Sequence, residues 1–140
     1  MNKVIATIFL VVFVSTSFLA SAQEKFLEVI IKSIDNQQKN VKSYNVSITT
    51  MEGVEFILKK PKKVKKFFLP AGEKYFVSVE KKGNHTRFFE IDLRNIPEVY
   101  QLNKKETLSL TVLFVPNDLD VPIPVEKYEF SNRYNRVVKL

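Results

Sequence analysis

The sequence predicts an all-β fold, an antiparallel β-sandwich of about seven strands of immunoglobulin or transthyretin type. Three observations carry this. Window after window alternates apolar and polar residues with the period of two that belongs to a half-buried strand. No window sustains the 3.6-residue period of a helix, and Gly, Pro and Asn signals punctuate the alternating runs. Strands with no helix between them must cover one another, and two facing sheets are the common solution. A closed barrel of the OB type fits the same pattern and stands as the alternative.

Met1 to Ala22 is set apart from the fold. It combines Lys3, an apolar run from Val4 to Val14, a Ser15-Thr16-Ser17 break and Ala20-Ser21-Ala22. That is the layout of a secretory signal peptide cut between Ala22 and Gln23, and the apolar run is shorter than the roughly 20 residues a spanning helix needs. Contact with a membrane is therefore expected only through this segment before cleavage. With no Cys the chain has no acceptor for a lipoprotein anchor, so a soluble periplasmic or extracellular product is expected. Residues 23–140 read as one domain, with a basic, Pro-containing segment at 116–140. Zero Cys leaves the fold to its apolar core, so the 45% hydrophobic content and the twelve Phe of the sequence, nine of them beyond Ala22, matter; it also excludes thiolate metal sites and thiol nucleophiles.

In chain order, Leu27, Val29 and Ile31 define a first strand, with Phe26, Glu28, Ile30 and Lys32 on its other, partly apolar face. Tyr44, Val46 and Ile48 alternate with Asn45, Ser47 and Thr49 in the second. Gly53 turns the chain into a short strand with Val54, Phe56 and Leu58 on one face. Lysines at 59, 60, 62, 63, 65 and 66 around Pro61 read as a loop or frayed edge, after which Phe67 and Leu69 re-enter the core. Tyr75, Val77 and Val79, a turn at Lys82-Gly83-Asn84, then Phe89, Ile91 and Leu93 form a hairpin that leaves Phe76 and Phe88 facing outward. Leu108, Leu110, Val112 and Phe114 make a long strand. Pro116, Pro122 and Pro124 then enforce extended pieces, and 125–130 is expected as a last edge strand.

Sharp chemistry is scarce. His85 is the only histidine and lacks the partners a metal site or general base needs. Three Gly leave no phosphate-cradling loop, and neither a nucleophile elbow nor a dinucleotide fingerprint is present. Glu90 and Asp92, or Asp118 and Asp120, are spaced as paired carboxylates could be, but a wet strand face and a polar loop account for them. The chain therefore nominates no catalytic residue, no metal ligand and no cofactor. Two surface features remain. Lys59, Lys60, Lys62, Lys63, Lys65 and Lys66 form a candidate anion-binding run for lipopolysaccharide or acidic polysaccharide, set against a plain role as a solvated edge. Phe76 and Phe88 form a candidate interaction face for a protein. Carbohydrate binding is weaker still for want of any Trp, and nothing interleaves the lysines with aromatics as specific nucleic-acid binding demands. The net charge is +7, or +6 once Lys3 is removed with the leader, which suits an anionic surface.

The strand at Tyr44 to Thr50, the Leu69-Pro70-Ala71-Gly72 turn, the run from Lys74 to Asn84 and the run from Phe88 to Pro97 together resemble the carboxypeptidase regulatory-like, or transthyretin-like, β-sandwich domains of exported bacterial proteins. The match is one of packing motifs and includes the Ile91-Asp92 pair. Asn84 departs from the aromatic usual in that place. The resemblance implies a sandwich, an exported location and an accessory, non-enzymatic role. The hydrolase branch of the wider fold needs several histidines and a C-terminal Tyr-Arg-Gly-Ser, which Arg136 to Leu140 does not supply.

Overall fold

A computed structural model of the chain describes residues 26–35, 39, 41, 43–58, 64–97 and 106–140. These form nine strands and no helix: β1 (Leu27–Ile34), β2 (Asn45–Thr50), β3 (Glu55–Leu58), β4 (Val64–Leu69), β5 (Lys74–Glu80), β6 (Arg87–Asp92), β7 (Glu106–Leu113), β8 (Glu126–Ser131) and β9 (Arg136–Lys139). They build a three-stranded sheet in the order β4-β1-β7 and a six-stranded sheet in the order β3-β2-β5-β6-β8-β9. Two separate sheets around one core make a β-sandwich, not a closed barrel.

The alternating patterns decide which faces meet. Leu27, Val29 and Ile31 of β1 are fully buried, and Val46, Val77, Val79, Ile91 and Val112 join them. Burying each such side chain contributes about 1.5–3 kcal/mol relative to leaving it in water. Phe26, placed by alternation on the far face of β1, is buried as well. It precedes the strand and meets Phe130 edge-on, ring centroids 6.2 Å apart. The other face of β1 is only half covered, with Lys32 exposed.

Several expectations are corrected. The sheets are mixed rather than antiparallel throughout: β1 pairs with β7 in parallel, Leu27 opposite Glu106, and β6 pairs with β8 in parallel, Phe89 opposite Glu126. The strands number nine rather than about seven among the described residues. The strand after Pro124 is not an edge, because the basic tail folds back as β9 and takes that place. The tail turns at Asn135, a non-glycine residue at φ 52°, which Asn tolerates better than most. Of the two alternatives for the lysine run, a loop or an edge, its described end takes the edge: β4 begins at Val64 and is an outer strand of the small sheet, so Lys65 and Lys66 belong to a strand.

On both open sides of the sandwich a charged side chain of the small sheet reaches a backbone group of the large one. The Lys65 ammonium donates to the carbonyl of Leu58 at 3.4 Å, linking β4 to β3. A Glu106 carboxylate oxygen accepts from the amide of Val137 at 2.6 Å, linking β7 to β9.

Candidate functional site

The hairpin expected around Gly83 forms with Tyr75 opposite Ile91, Phe76 opposite Glu90, and Ser78 opposite Phe88. Because Tyr75, Val77 and Val79 fill the core, the same pleat drives Phe76 outward, and Phe88 follows on the neighbouring strand. Both rings are solvent-exposed, at 39% and 49%. They are diagonal neighbours across β5 and β6, close enough for aromatic side chains to share one surface. With Thr49, Ser78, Glu90, Val125 and Lys127 they line a shallow trough of about 430 Å³ on the outer face of the six-stranded sheet. Val77 and Phe89, both buried, line it as well.

Charges fix the trough's rim. Glu90 binds Lys74 at 3.0 Å and Lys127 at 3.5 Å. The Lys74 hydrogen bond, with the two positive charges, holds the Glu90 carboxyl below its ordinary value despite partial burial. The Lys74 ammonium also sits 5.6 Å from the centre of the Phe76 ring. One row along, Asp92 accepts from Arg94 at 2.8 Å, and that bond lowers its pKa against the opposing effect of burial. Glu90 and Asp92 are thus tied to cations and do not face each other as a reacting pair. No group of three or more metal-ligating side chains exists among the described residues. His85 points at the carbonyl of Leu119, 2.7 Å away, in the linker between β7 and β8.

The lysine run divides. Lys59, Lys60, Lys62 and Lys63 lie outside the described residues, as do Ala22 and Gln23. Lys66 is exposed on β4, opposite Ile30. Lys65 turns inward: it is 4% exposed, its ammonium lies 4.7 Å from the centre of the Tyr44 ring, and burial lowers its pKa. A polymer on the surface of β4 meets Lys66 but not the Lys65 charge.

A polar cluster that no local pattern announces lies where β6 and β8 meet the end of β7. Arg87 donates to the carbonyl of Leu113 and to Glu126, both at 2.7 Å. Glu126 also accepts from the Tyr128 hydroxyl at 2.9 Å and pairs with Lys139 at 3.1 Å. Burial pushes the Glu126 carboxyl up, but hydrogen bonds from Lys139 and Tyr128 and the charges of Lys139 and Arg87 bring it down overall. Tyr128 is raised, first by burial and then by its bond to Glu126. The four side chains come from β6, β8 and β9, so only knowledge of strand pairing would have assembled them. Their bonds to one another and to the Leu113 carbonyl tie the C-terminal strands together, with the buried Arg87 Nε, alone of the guanidinium nitrogens, left without an acceptor among the described residues.

No protein-family model matches the chain, and no curated protein matches it. Solved structures do. A stretch covering 63% of the chain superposes on the Bacillus anthracis TIE protein at 20% identity and a TM-score of 0.48, over 16% of that protein. The S.CueP crystal structure matches at 13% identity and a TM-score of 0.42, over 63% of this chain and 62% of that one. The C-terminal fragment of the pilus adhesin SpaC from Lactobacillus rhamnosus GG matches at 13% identity and 0.46, over 69% and 47%. In each case the chain spans less than two thirds of the other protein.

Proposed function

We propose that the protein is an exported, non-enzymatic β-sandwich module of the carboxypeptidase regulatory-like kind that works by binding through the outer face of its six-stranded sheet. The observation that carries this reading is the pair Phe76 and Phe88, held in solvent side by side by strands whose inward residues leave them no other place. Rings in that position cost solubility and add nothing to the core, which is the mark of a surface kept for contact. Export rests on the Met1 to Ala22 pattern. The likeness to that family is argued from the packing motifs, among them the Leu69 to Gly72 turn. Gly72 takes φ 97°, its amide donates to the Leu93 carbonyl at 2.7 Å, and the Tyr75 hydroxyl donates to the Pro70 carbonyl at 2.8 Å.

The test is capture from an envelope extract on immobilised protein, beside the Phe76→Ser/Phe88→Ser variant. Partners held by the wild type and lost by the variant support the reading, and equal capture by both sinks it. The electrostatic alternative, binding of lipopolysaccharide or acidic polysaccharide by the lysine run, retains Lys66 among the described lysines. It predicts retention on heparin that falls steeply with salt and is abolished when the six lysines become Gln. Identical elution of the two proteins at low salt would rule it out.

A further inference from the structure

A sandwich has edges as well as faces, and among the described strands four are edges: β4 and β7 bound the small sheet, β3 and β9 the large one. An edge strand offers unpaired backbone groups to any chain that can pair with them, and proteins blunt such edges with charge, proline or brevity. Three of the four are blunted. β3 and β9 have four residues each and carry Glu55 and the pair Arg136 and Lys139. β4 carries Lys65 and Lys66. β7 differs: it runs for eight residues, and from Thr107 to Val115 the chain holds neither a charged residue nor a proline.

Hydrogen bonds show which backbone groups of β7 stay open. Glu106 and Phe114 donate to the carbonyls of Phe26 and Ile34 at 2.9 and 3.1 Å, so the even-numbered residues turn their backbone toward β1. The odd-numbered ones turn theirs to the edge. Toward the end of the strand those groups are taken: the Leu113 carbonyl accepts from Arg87 at 2.7 Å, and the Val115 carbonyl from the His85 amide at 2.8 Å. Thr107, Ser109 and Thr111 are left, and their amides and carbonyls meet no hydrogen-bonding group among the described residues. Their side chains are exposed on the outer face of the small sheet.

The open stretch, Thr107-Leu108-Ser109-Leu110-Thr111, reads the same in both directions, so its natural antiparallel complement is itself. We propose that β7 pairs with β7 of a second copy about a two-fold axis at Ser109, joining the two small sheets into one. Ser109 then faces Ser109 of the second copy, and Thr107 faces Thr111. These are hydrogen-bonded pairs, in which each residue exchanges both its amide and its carbonyl with the one opposite, so every open group is satisfied. An axis at Thr111 would instead set Ser109 against Leu113 and Thr107 against Val115, whose carbonyls are already bound. On the inner side Leu108, only partly buried in one copy, comes opposite Leu110 of the other. Each copy uses the edge once, so assembly stops at the dimer. A single strand edge buries less than the ~800 Å² per partner of a standard interface, and the dimer is accordingly weak. The trough of Phe76 and Phe88 takes no part, so this inference stands or falls independently of the function proposed above.

Sedimentation equilibrium on the chain as the host releases it, up to ~1 mM and at ~0.15 M salt to screen the net charge, tests this. The wild type is expected to rise in average mass to the dimer and no further. Ser109→Lys and Ser109→Glu change an exposed side chain and should keep the wild-type circular dichroism spectrum. Each nevertheless sets like charges opposite one another across the axis and should weaken association roughly tenfold. An equimolar mixture of the two should recover it, because only the mixed dimer pairs opposite charges. Hydrogen exchange gives a second readout: the amides of Thr107, Ser109 and Thr111 should gain protection as concentration rises, while those of Leu108 and Leu110, which face β1, stay protected throughout. A wild type that remains monomeric at the highest concentration, a dimer indifferent to the charge at Ser109, or open-edge amides already protected in dilute solution overturns the proposal. So does protection that appears only when an envelope extract is added, which would assign the edge to a strand of another protein.

Discussion

The backbone amide of Val137, in the last strand of the large sheet, donates its hydrogen bond at 2.6 Å to the carboxylate of Glu106, the first residue of the edge strand of the small one. The Glu106 side chain thus joins two sheets that share no ladder at that side, as Arg87 does at the Leu113 carbonyl at the other end of β7. Replacing Glu106 should free the end of β9. Glu106→Ala is expected to cost about 2 kcal/mol, the value of a charge-assisted hydrogen bond whose donor is left without its acceptor. Urea denaturation measures the loss, and hydrogen exchange should show faster exchange at Val137 than at the amides of β5.

Lys65 makes the corresponding link on the opposite side, and there pH is the probe. Burial holds its pKa below the ordinary lysine value of 10.5, so the unfolded chain binds that proton more tightly than the folded one. Stability should therefore rise with pH between the lowered folded value and 10.5. Tyr44 and Tyr128, whose pKa values are raised, act in the opposite sense at higher pH, so the comparison must be with Lys65→Met. The stability of wild type relative to Lys65→Met is expected to increase across that interval. A constant difference would show that the charge is not penalised in the fold.

Acid should act through the paired carboxylates. Glu90, Asp92 and Glu126 all have folded pKa values below their ordinary ones. Their contribution is complete above the unfolded values and is lost as pH falls through the folded ones. Glu126 is the most enclosed by partners, so Glu126→Gln is expected to flatten the acid limb of a stability–pH curve more than Glu90→Gln. Thermal denaturation from neutral pH to pH ~2 reads this.

The hairpin turn supplies a backbone test. Gly83 sits at φ 82° with nothing within 4 Å of where a Cβ would lie, so substitution there is penalised by conformation and not by crowding. Gly83→Ala should cost roughly 1–2 kcal/mol, and Gly83→Asn less. Equal stability of Gly83→Ala and wild type by urea denaturation would contradict the turn geometry.

These sites mark how far the sequence could be read. The strands of the central hairpin were legible because Tyr75, Val77, Val79, Phe89 and Ile91 obey a local period, and the outward course of Phe76 and Phe88 came with it. The turn was legible too, although of the two residues tolerant of left-handed backbone only Gly83 uses it; Asn84 instead bridges to Pro116. Lys65 was misplaced because a lysine among lysines looks solvated, while its parity with Phe67 and Leu69 directs it inward. The parallel pairs β1–β7 and β6–β8 were illegible because pairing between distant segments leaves no local periodic trace. The cluster of Arg87, Glu126, Tyr128 and Lys139 depends on such pairing and was hidden with it.

The parallel pairing of β1 with β7 governs the order in which the chain can fold. The most deeply buried strand is made first, yet one of its two partners begins at Glu106, far along the sequence. Until that segment arrives, Leu27, Val29 and Ile31 have only β4 to lie against. Closing so long a loop is entropically slow, and topologies rich in such contacts fold on timescales of about milliseconds to seconds. A nascent chain therefore carries a sticky, half-paired strand for most of its emergence, and its yield should depend on holdase chaperones more than its final stability suggests.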